Sequence, residues 1–296
     1  MRRARIPSIM VAWVMTLTVG TACGASDTGS GRGTGPVADV AFKAGTTMDR
    51  LHRAGKIRIG TKFDQPGFGL QGADGIPTGF DVEIGKIIAT ELGIPVGGIE
   101  WVESTPKLRE EHLETDKVDI VVATYTINAE RLEHVDFAGP YYVAGQQIMT
   151  RKSDNSITGP ETFRIGAKKV CSSIGSTPAK SITTYLKDQA TQLILFDVYT
   201  KCADALEAGQ VDAVTTDNVI LTGFVAQHPE DFKLVGARFT TEPYGIGLKK
   251  GDDTFRAFIN GVLEKIAKDG RYAKAWTGTA GKYDTNMPEA PAVNRY

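Results

Sequence analysis

The chain has 296 residues, 41% of them hydrophobic and 23% charged, and its 34 lysines and arginines against 35 aspartates and glutamates leave a net charge of −1. That length holds two domains of ordinary size. The even charge balance excludes nucleic acid as a partner, and the four scattered histidines (52, 112, 134 and 228) offer no spacing for a metal, so neither metal nor cofactor is expected.

The N-terminus reads as an export signal. Arg2, Arg3 and Arg5 precede an apolar stretch from Ile9 to Ala22 that is too short to span a bilayer. It ends in Gly20-Thr21-Ala22-Cys23, which resembles a bacterial lipobox with Gly20 where that motif prefers an aliphatic residue. On this reading residues 1–23 are a lipoprotein signal peptide and lipobox, and acylated Cys23 holds the protein on the extracellular face of the cell membrane. A plain secretory signal cut near Ala25 is the alternative. Residues 24–46 open with a Gly/Ser/Thr-rich run that cannot bury a core and reads as a flexible tether.

Met48–Ala54 predicts a short helix closed by Gly55, and Ile57–Gly60 a strand that gives way to a loop at Asp64–Gly69. Asp74-Gly75 marks a hairpin turn. Val82, Ile84, Ile87, Ile88 and Leu92 approximate helical spacing over Phe80–Leu92, with Gly93 as the stop. Ile99–Val102 reads as a strand, Leu108–Leu113 as a helix, Val118–Thr124 as a buried strand, and the chain extends from Val143 to Thr150. After Gly159-Pro160 a second pattern begins. Strands at Arg164–Cys171, Gln192–Phe196, Val211–Thr215 and Phe232–Val235 alternate with helices from Gly175 to Leu186, Tyr199–Ala208 and Asn218–Ala226. An extended Tyr244–Lys249 and a long helix over Asp253–Lys268 follow.

Strands alternating with helices argue for parallel, doubly wound sheets. The surplus strand and helix at the end predict that the chain returns to complete the first module. The expected fold is α/β, with two doubly wound lobes joined by a two-stranded hinge near Ala144–Thr150 and Ala237–Ile246. Lobe 1 takes residues 47–146 and 242–296, and lobe 2 takes 147–241. With Cys23 lipidated, Cys171 and Cys202 remain in a compartment where disulfides persist, and either a disulfide or two buried thiols fits.

Gly79-Phe80-Asp81-Val82-Glu83-Ile84 reads as a turn into an amphipathic helix. Ala123-Thr124-Tyr125-Thr126-Ile127 reads as a buried strand ending in hydroxyls, followed by a helix start that carries Arg131. Free N–H groups beside a guanidinium make a carboxylate-binding corner, suited to capturing an amino acid rather than turning one over. From about Ile57 to Tyr272 these residues resemble the family 3 extracellular solute-binding proteins of ABC transporters, which have the type II periplasmic-binding fold. Closer still, Gly60-Thr61-Lys62-Phe63-Asp64-Gln65-Pro66-Gly67-Phe68-Gly69-Leu70, Gly175-Ser176-Thr177-Pro178-Ala179 and Tyr244–Lys250 resemble the actinobacterial glutamate-binding lipoprotein branch, to which the cysteine pair also belongs.

The resemblance implies a site. Arg131 stands where the family places the arginine for the ligand α-carboxylate, and Thr126, Ser176 and Thr177 add hydroxyl or N–H donors. Asp217 matches the acidic ligand for the α-ammonium, with Thr124 as a second acceptor. Lys62 replaces an acidic residue found in members that bind cationic amino acids, and Arg109 matches the position that holds the side-chain carboxylate of acidic ones. Gln65 stands where other members often carry an aromatic and suggests a polar clamp, while Tyr244 can wall the pocket. A monomeric receptor follows from this, one that captures glutamate (with aspartate, glutamine or asparagine as rivals) and closes its lobes to deliver it to an ABC transporter permease. Two other classes share the pattern: an amino-acid sensor for a membrane signalling partner, and a dehydratase-like enzyme, which lacks a spare Glu or His in the candidate cleft for proton transfer.

Overall fold

The computed structural model describes residues 41–295, so Cys23, the signal peptide and most of the tether lie outside the described residues. In chain order the elements are α1 (Thr47–Ala54), β1 (Ile57–Thr61), β2 (Asp64–Gln65), β3 (Gly69–Gln71), β4 (Pro77–Thr78), α2 (Phe80–Glu91), β5 (Ile99–Glu103), α3 (Arg109–Glu114), β6 (Ile120–Val121), α4 (Ala129–Leu132), β7 (Val135–Ala144) and β8 (Gln146–Arg151). Then come β9 (Val170–Ser173), α5 (Thr177–Ile182), α6 (Gln189–Gln192), β10 (Leu193–Phe196), α7 (Tyr199–Glu207), β11 (Ala213–Asp217), α8 (Asn218–Gln227), β12 (Phe232–Val235), β13 (Glu242–Lys249), α9 (Asp253–Asp269) and α10 (Arg271–Gly278).

Two five-stranded sheets result, with orders β5-β1-β6-β13-β7 and β10-β9-β11-β8-β12. In each, three helix-linked strands are parallel. One strand in each sheet is reversed: β13 runs antiparallel to β6 and β7, and β8 antiparallel to β11 and β12. The doubly wound α/β pattern holds, with a single reversed strand in each sheet beside the crossings. β7 passes through Gly145 alone into β8 of the other sheet, so β8 enters its sheet without the helical crossover that precedes a parallel strand. The chain crosses back between β12 and β13, and β13 pairs beside β7 from Glu242↔Ala144 to Lys249↔Val135. Two segments thus run side by side where the sheets meet.

Local sequence accounts for the elements that flank the cleft. Gly79 has φ +142°, and a Cβ there would lie 2.1 Å from the Phe68 carbonyl oxygen, so only glycine lets the chain turn into α2 at that point. Asp252 caps α9 through the Phe255 N–H, and Gly270 closes it in the left-handed region. The strand expected over Arg164–Cys171 is a 3₁₀ turn at Pro160–Ile165 ended by Gly166, with pairing only from Val170, because a proline at the first helical position favours a helical start. Phe68, Phe80, Tyr142, Tyr244 and Trp276 form one aromatic cluster, with Tyr142 stacked on Trp276 at 5.5 Å, and it roots β7 and β13 in the first lobe. Cys171 of β9 and Cys202 of α7 form a disulfide. No helix among the described residues is long and apolar enough to cross a membrane.

Candidate functional site

The loops at the ends of β1, β6, β9 and β11 converge between the two sheets on a small cavity of about 10 Å³, room for a single water-sized sphere. Eight of the ten candidate ligand residues line it: Gln65, Arg109, Thr124, Thr126, Arg131, Ser176, Thr177 and Asp217. A groove of about 740 Å³ leads to it from solvent and shares Arg131, Ser176 and Thr177 with its wall.

On the first lobe, Asp81 fixes the strand end. Its buried carboxylate accepts from the Thr124 N–H at 2.7 Å and from the Tyr141 hydroxyl at 2.6 Å. Burial pushes the Asp81 carboxyl up to about 7, against those two hydrogen bonds. Thr124 sits at φ +46°, a costly position for a β-branched residue, and its hydroxyl donates to Gln65 Oε1 at 3.0 Å. The guanidinium groups of Arg109 and Arg131 lie 5.0 and 4.9 Å from the centre of the same Tyr125 ring. Arg109 Nη2 donates to the Ala123 carbonyl at 2.5 Å, and burial lowers the pKa of its guanidinium, with Arg131 adding repulsion. Arg131 donates to the Thr126 carbonyl at 2.7 Å and to the Gly175 carbonyl of the second lobe at 3.3 Å, and Glu110 stands 3.2 Å from its Nε. Gly175 has φ +78°, and a Cβ there would lie 2.9 Å from Lys107 Cα, so this residue lets the lobes approach.

On the second lobe, Ser176 is the N-cap of α5, its hydroxyl accepting from the Ala179 N–H at 3.0 Å. Asp217 holds the N-cap position of α8 but makes no capping bond there. It accepts instead from the Tyr244 hydroxyl at 2.5 Å, so Tyr244 of β13 reaches the site through Asp217 and does not itself line the cavity. Burial, then the charge of Glu242, pushes the Asp217 carboxyl up to about 7, against the Tyr244 bond and the attraction of Arg109 and Arg131.

Among the described residues, five buried polar atoms on the cavity wall have no hydrogen-bond partner: Gln65 Nε2, Arg109 Nε, Thr177 Oγ1, Thr216 Oγ1 and Asp217 Oδ1. Such atoms cost about 1–3 kcal/mol each, so their gathering on one wall points to a ligand with matching groups. Thr216 was missed from sequence; its only signal is a hydroxyl residue at the end of a buried strand, directly before Asp217. Tyr199, wholly buried and also on the wall, was missed too. The structure does not bring Lys62 to the wall. Its ammonium is fully buried and lies 2.9 Å from Asp64 Oδ1, a close ion pair rather than an aligned hydrogen bond, because Asp64 follows two residues later. Among the described residues no three His, Cys, Asp or Glu side chains gather as a metal site.

The pattern that defines the bacterial extracellular solute-binding proteins, family 3, matches residues 57–278. The glutamate-binding protein GluB of Corynebacterium glutamicum is 37% identical over 287 residues, 94% of this chain and 91% of that one. The ABC transporter glutamine-binding protein GlnH of Bacillus subtilis is 38% identical over 76% of this chain and 81% of its own. Among solved structures, an ancestral arginine-binding protein bound to arginine superposes with a TM-score of 0.71 at 36% identity, over 76% of this chain and 98% of that one.

Proposed function

The chain belongs to the bacterial extracellular solute-binding proteins, family 3, an extracytoplasmic family with a two-lobed α/β fold, and on that premise we propose that it captures L-glutamate and delivers it to an ABC importer. The observation that carries this reading is the set of five unpartnered polar atoms on one cavity wall, with an acid at one side and two guanidinium groups at the other. That is the complement of a zwitterion with a second carboxylate.

Asp217 Oδ1 takes the α-ammonium, with Thr124 beside it. Arg131 and the Thr177 hydroxyl take the α-carboxylate; the guanidinium has five N–H donors, more than its protein contacts use. Arg109 Nε and the Gln65 amide take the side-chain carboxylate, and the Thr216 hydroxyl adds a further contact. The likeness to a glutamate-binding protein over 94% of the chain supports this choice. Glutamine is the second reading, favoured by the likeness to a glutamine-binding protein. The ligand bonds to both lobes, so its affinity for the closed form drives closure, and the closed form is what the permease accepts. Acylated Cys23 would tether this monomer to the extracellular face of the cell membrane beside its permease. The relatives it resembles are named for binding, not for catalysis, and the cleft is read as a binding site.

Calorimetric titration of wild type and Arg109→Ala with L-glutamate and L-glutamine tests the assignment. Glutamate should bind wild type more tightly, and the substitution should weaken glutamate at least tenfold more than glutamine. Equal losses for the two ligands would remove Arg109 from the specificity role.

A further inference from the structure

The lobes touch through several polar contacts, and these differ in kind. Tyr244–Asp217 and Arg131–Gly175 belong to the ligand site. Lys180–Glu130 is exposed on both sides, and such pairs hold little. A further contact is buried and made through a backbone N–H: Asp64 Oδ2, from β2 of the first lobe, accepts at 2.8 Å from the N–H of Tyr199, a residue of the cavity wall. Tyr199 is the first residue of α7, whose N-cap position is held by Val198, with no side-chain cap of its own. A nine-residue helix with free N–H groups at its start favours a negative acceptor there; within the second lobe Asp197 bonds the Val198 N–H and the Lys201 ammonium, which leaves the Tyr199 N–H to Asp64. Asp64 does not line the cavity, although its neighbour Gln65 does.

We propose that Asp64 is a positioning residue for ligand capture: it caps α7 across the cleft only when the lobes are closed, and so slows ligand release without touching the ligand. The inference rests on the two-lobed capture described above. Three observations make the contact specific to closure. Lys62, fully buried, lies 2.9 Å from the other carboxylate oxygen of Asp64, which holds that side chain toward α7. The Cys171–Cys202 disulfide pins α7 to β9, so α7 cannot follow Asp64 when the lobes separate. Gln65, on the same two-residue strand, bonds Thr124 at the cavity wall, which ties the latch to the ligand site through one rigid segment. A charge-assisted hydrogen bond buried at an interface acts mainly on dissociation.

Stopped-flow rates for L-glutamate, with the wild type, Asp64→Ala, Asp64→Asn and the control Glu130→Gln, test this. Asp64→Ala should release ligand roughly tenfold to a hundredfold faster with association unchanged, the range for a lost charged hydrogen bond. Asp64→Asn keeps an acceptor and should fall between, and Glu130→Gln should match wild type. Amide exchange at Tyr199, slowed by ligand in wild type, should stay fast in Asp64→Ala. If Asp64→Ala does not fold, Asp64→Asn carries the same comparison. Wild-type release rates, or losses confined to association, in a folded Asp64 variant overturn the latch. A wild type that binds another of the twenty amino acids in place of glutamate overturns the glutamate reading alone, and the Asp64 comparison is then made with that amino acid. A wild type that binds none of the twenty overturns both.

Discussion

Glutamate affinity should fall as pH drops from 8 to 5. Asp217 is 3% exposed, and burial together with the charge of Glu242 pushes its carboxyl up to about 7. Tyr244 of β13, Arg109 of α3 and Arg131 of α4 also face it and pull the other way. An ammonium ion needs the ionised carboxylate, while the ligand's own side chain, near 4.3 in water, stays charged over this range. With a pKa near 7, the ionised fraction falls to about one in a hundred at pH 5. Affinity should therefore drop roughly a hundredfold, about 2.7 kcal/mol at 1.36 kcal/mol per unit. Ligand-free stability should move in the opposite direction. A carboxyl raised above its unfolded value near 3.9 binds its proton more tightly in the fold, so its contribution is complete below about pH 4 and is lost as pH rises through about 7. Asp81, raised to about 7 by burial, has the same sign. The melting temperature without ligand should thus rise from pH 8 to pH 5 while the ligand-induced shift shrinks. Calorimetry in buffers of different ionisation enthalpy should also detect about one proton released per glutamate bound below pH 7. An affinity constant within threefold across pH 5–8, or no proton release at pH 6, would refute the role of Asp217.

Arg131→Ala should weaken glutamate by about 3–5 kcal/mol, since a buried carboxylate would lose its charged partner; calorimetry showing an unchanged affinity would sink the assignment. Replacing both Cys171 and Cys202 by alanine frees a loop with a sequence separation of 31 residues. The loss should be about 3–4 kcal/mol in urea unfolding, and a loss below 1 kcal/mol would show that the bond constrains little.

Much of the scaffold was legible because its punctuation is strong. Gly55 and Gly93 stop helices where expected, and Phe232–Val235 is a strand with the bounds read from sequence. The mixed sheets were not legible, because strand direction depends on which strands meet at the crossings rather than on the alternation of elements. Eight of the ten candidate site residues meet on one cavity. Lys62 does not, since nothing in its own position reveals that Asp64 folds back onto its ammonium. Thr216 carries no motif, and the motif that contains Asp81 reads only as a turn into a helix; their roles exist only once Tyr141, Thr124 and the opposite lobe are in place. The contact between Asp64 and Tyr199 joins residues 135 apart in sequence and across two lobes, beyond any local pattern.

The same unpartnered atoms decide how selective the closure can be. Moving a two-state equilibrium from 1:99 to 99:1 takes about 5.5 kcal/mol of differential affinity. Five buried polar atoms at about 1–3 kcal/mol each oppose the closed form by a comparable or larger amount until a ligand pairs them. A ligand that satisfies all five can therefore carry the whole switch. One that lacks a side-chain acceptor leaves Arg109 Nε buried and unpaired, forfeits about 1–3 kcal/mol, and closes the lobes roughly ten- to a hundredfold less well. Selectivity in such a cleft comes less from attraction to glutamate in the open form than from the cost of closing over anything that leaves a donor unmet.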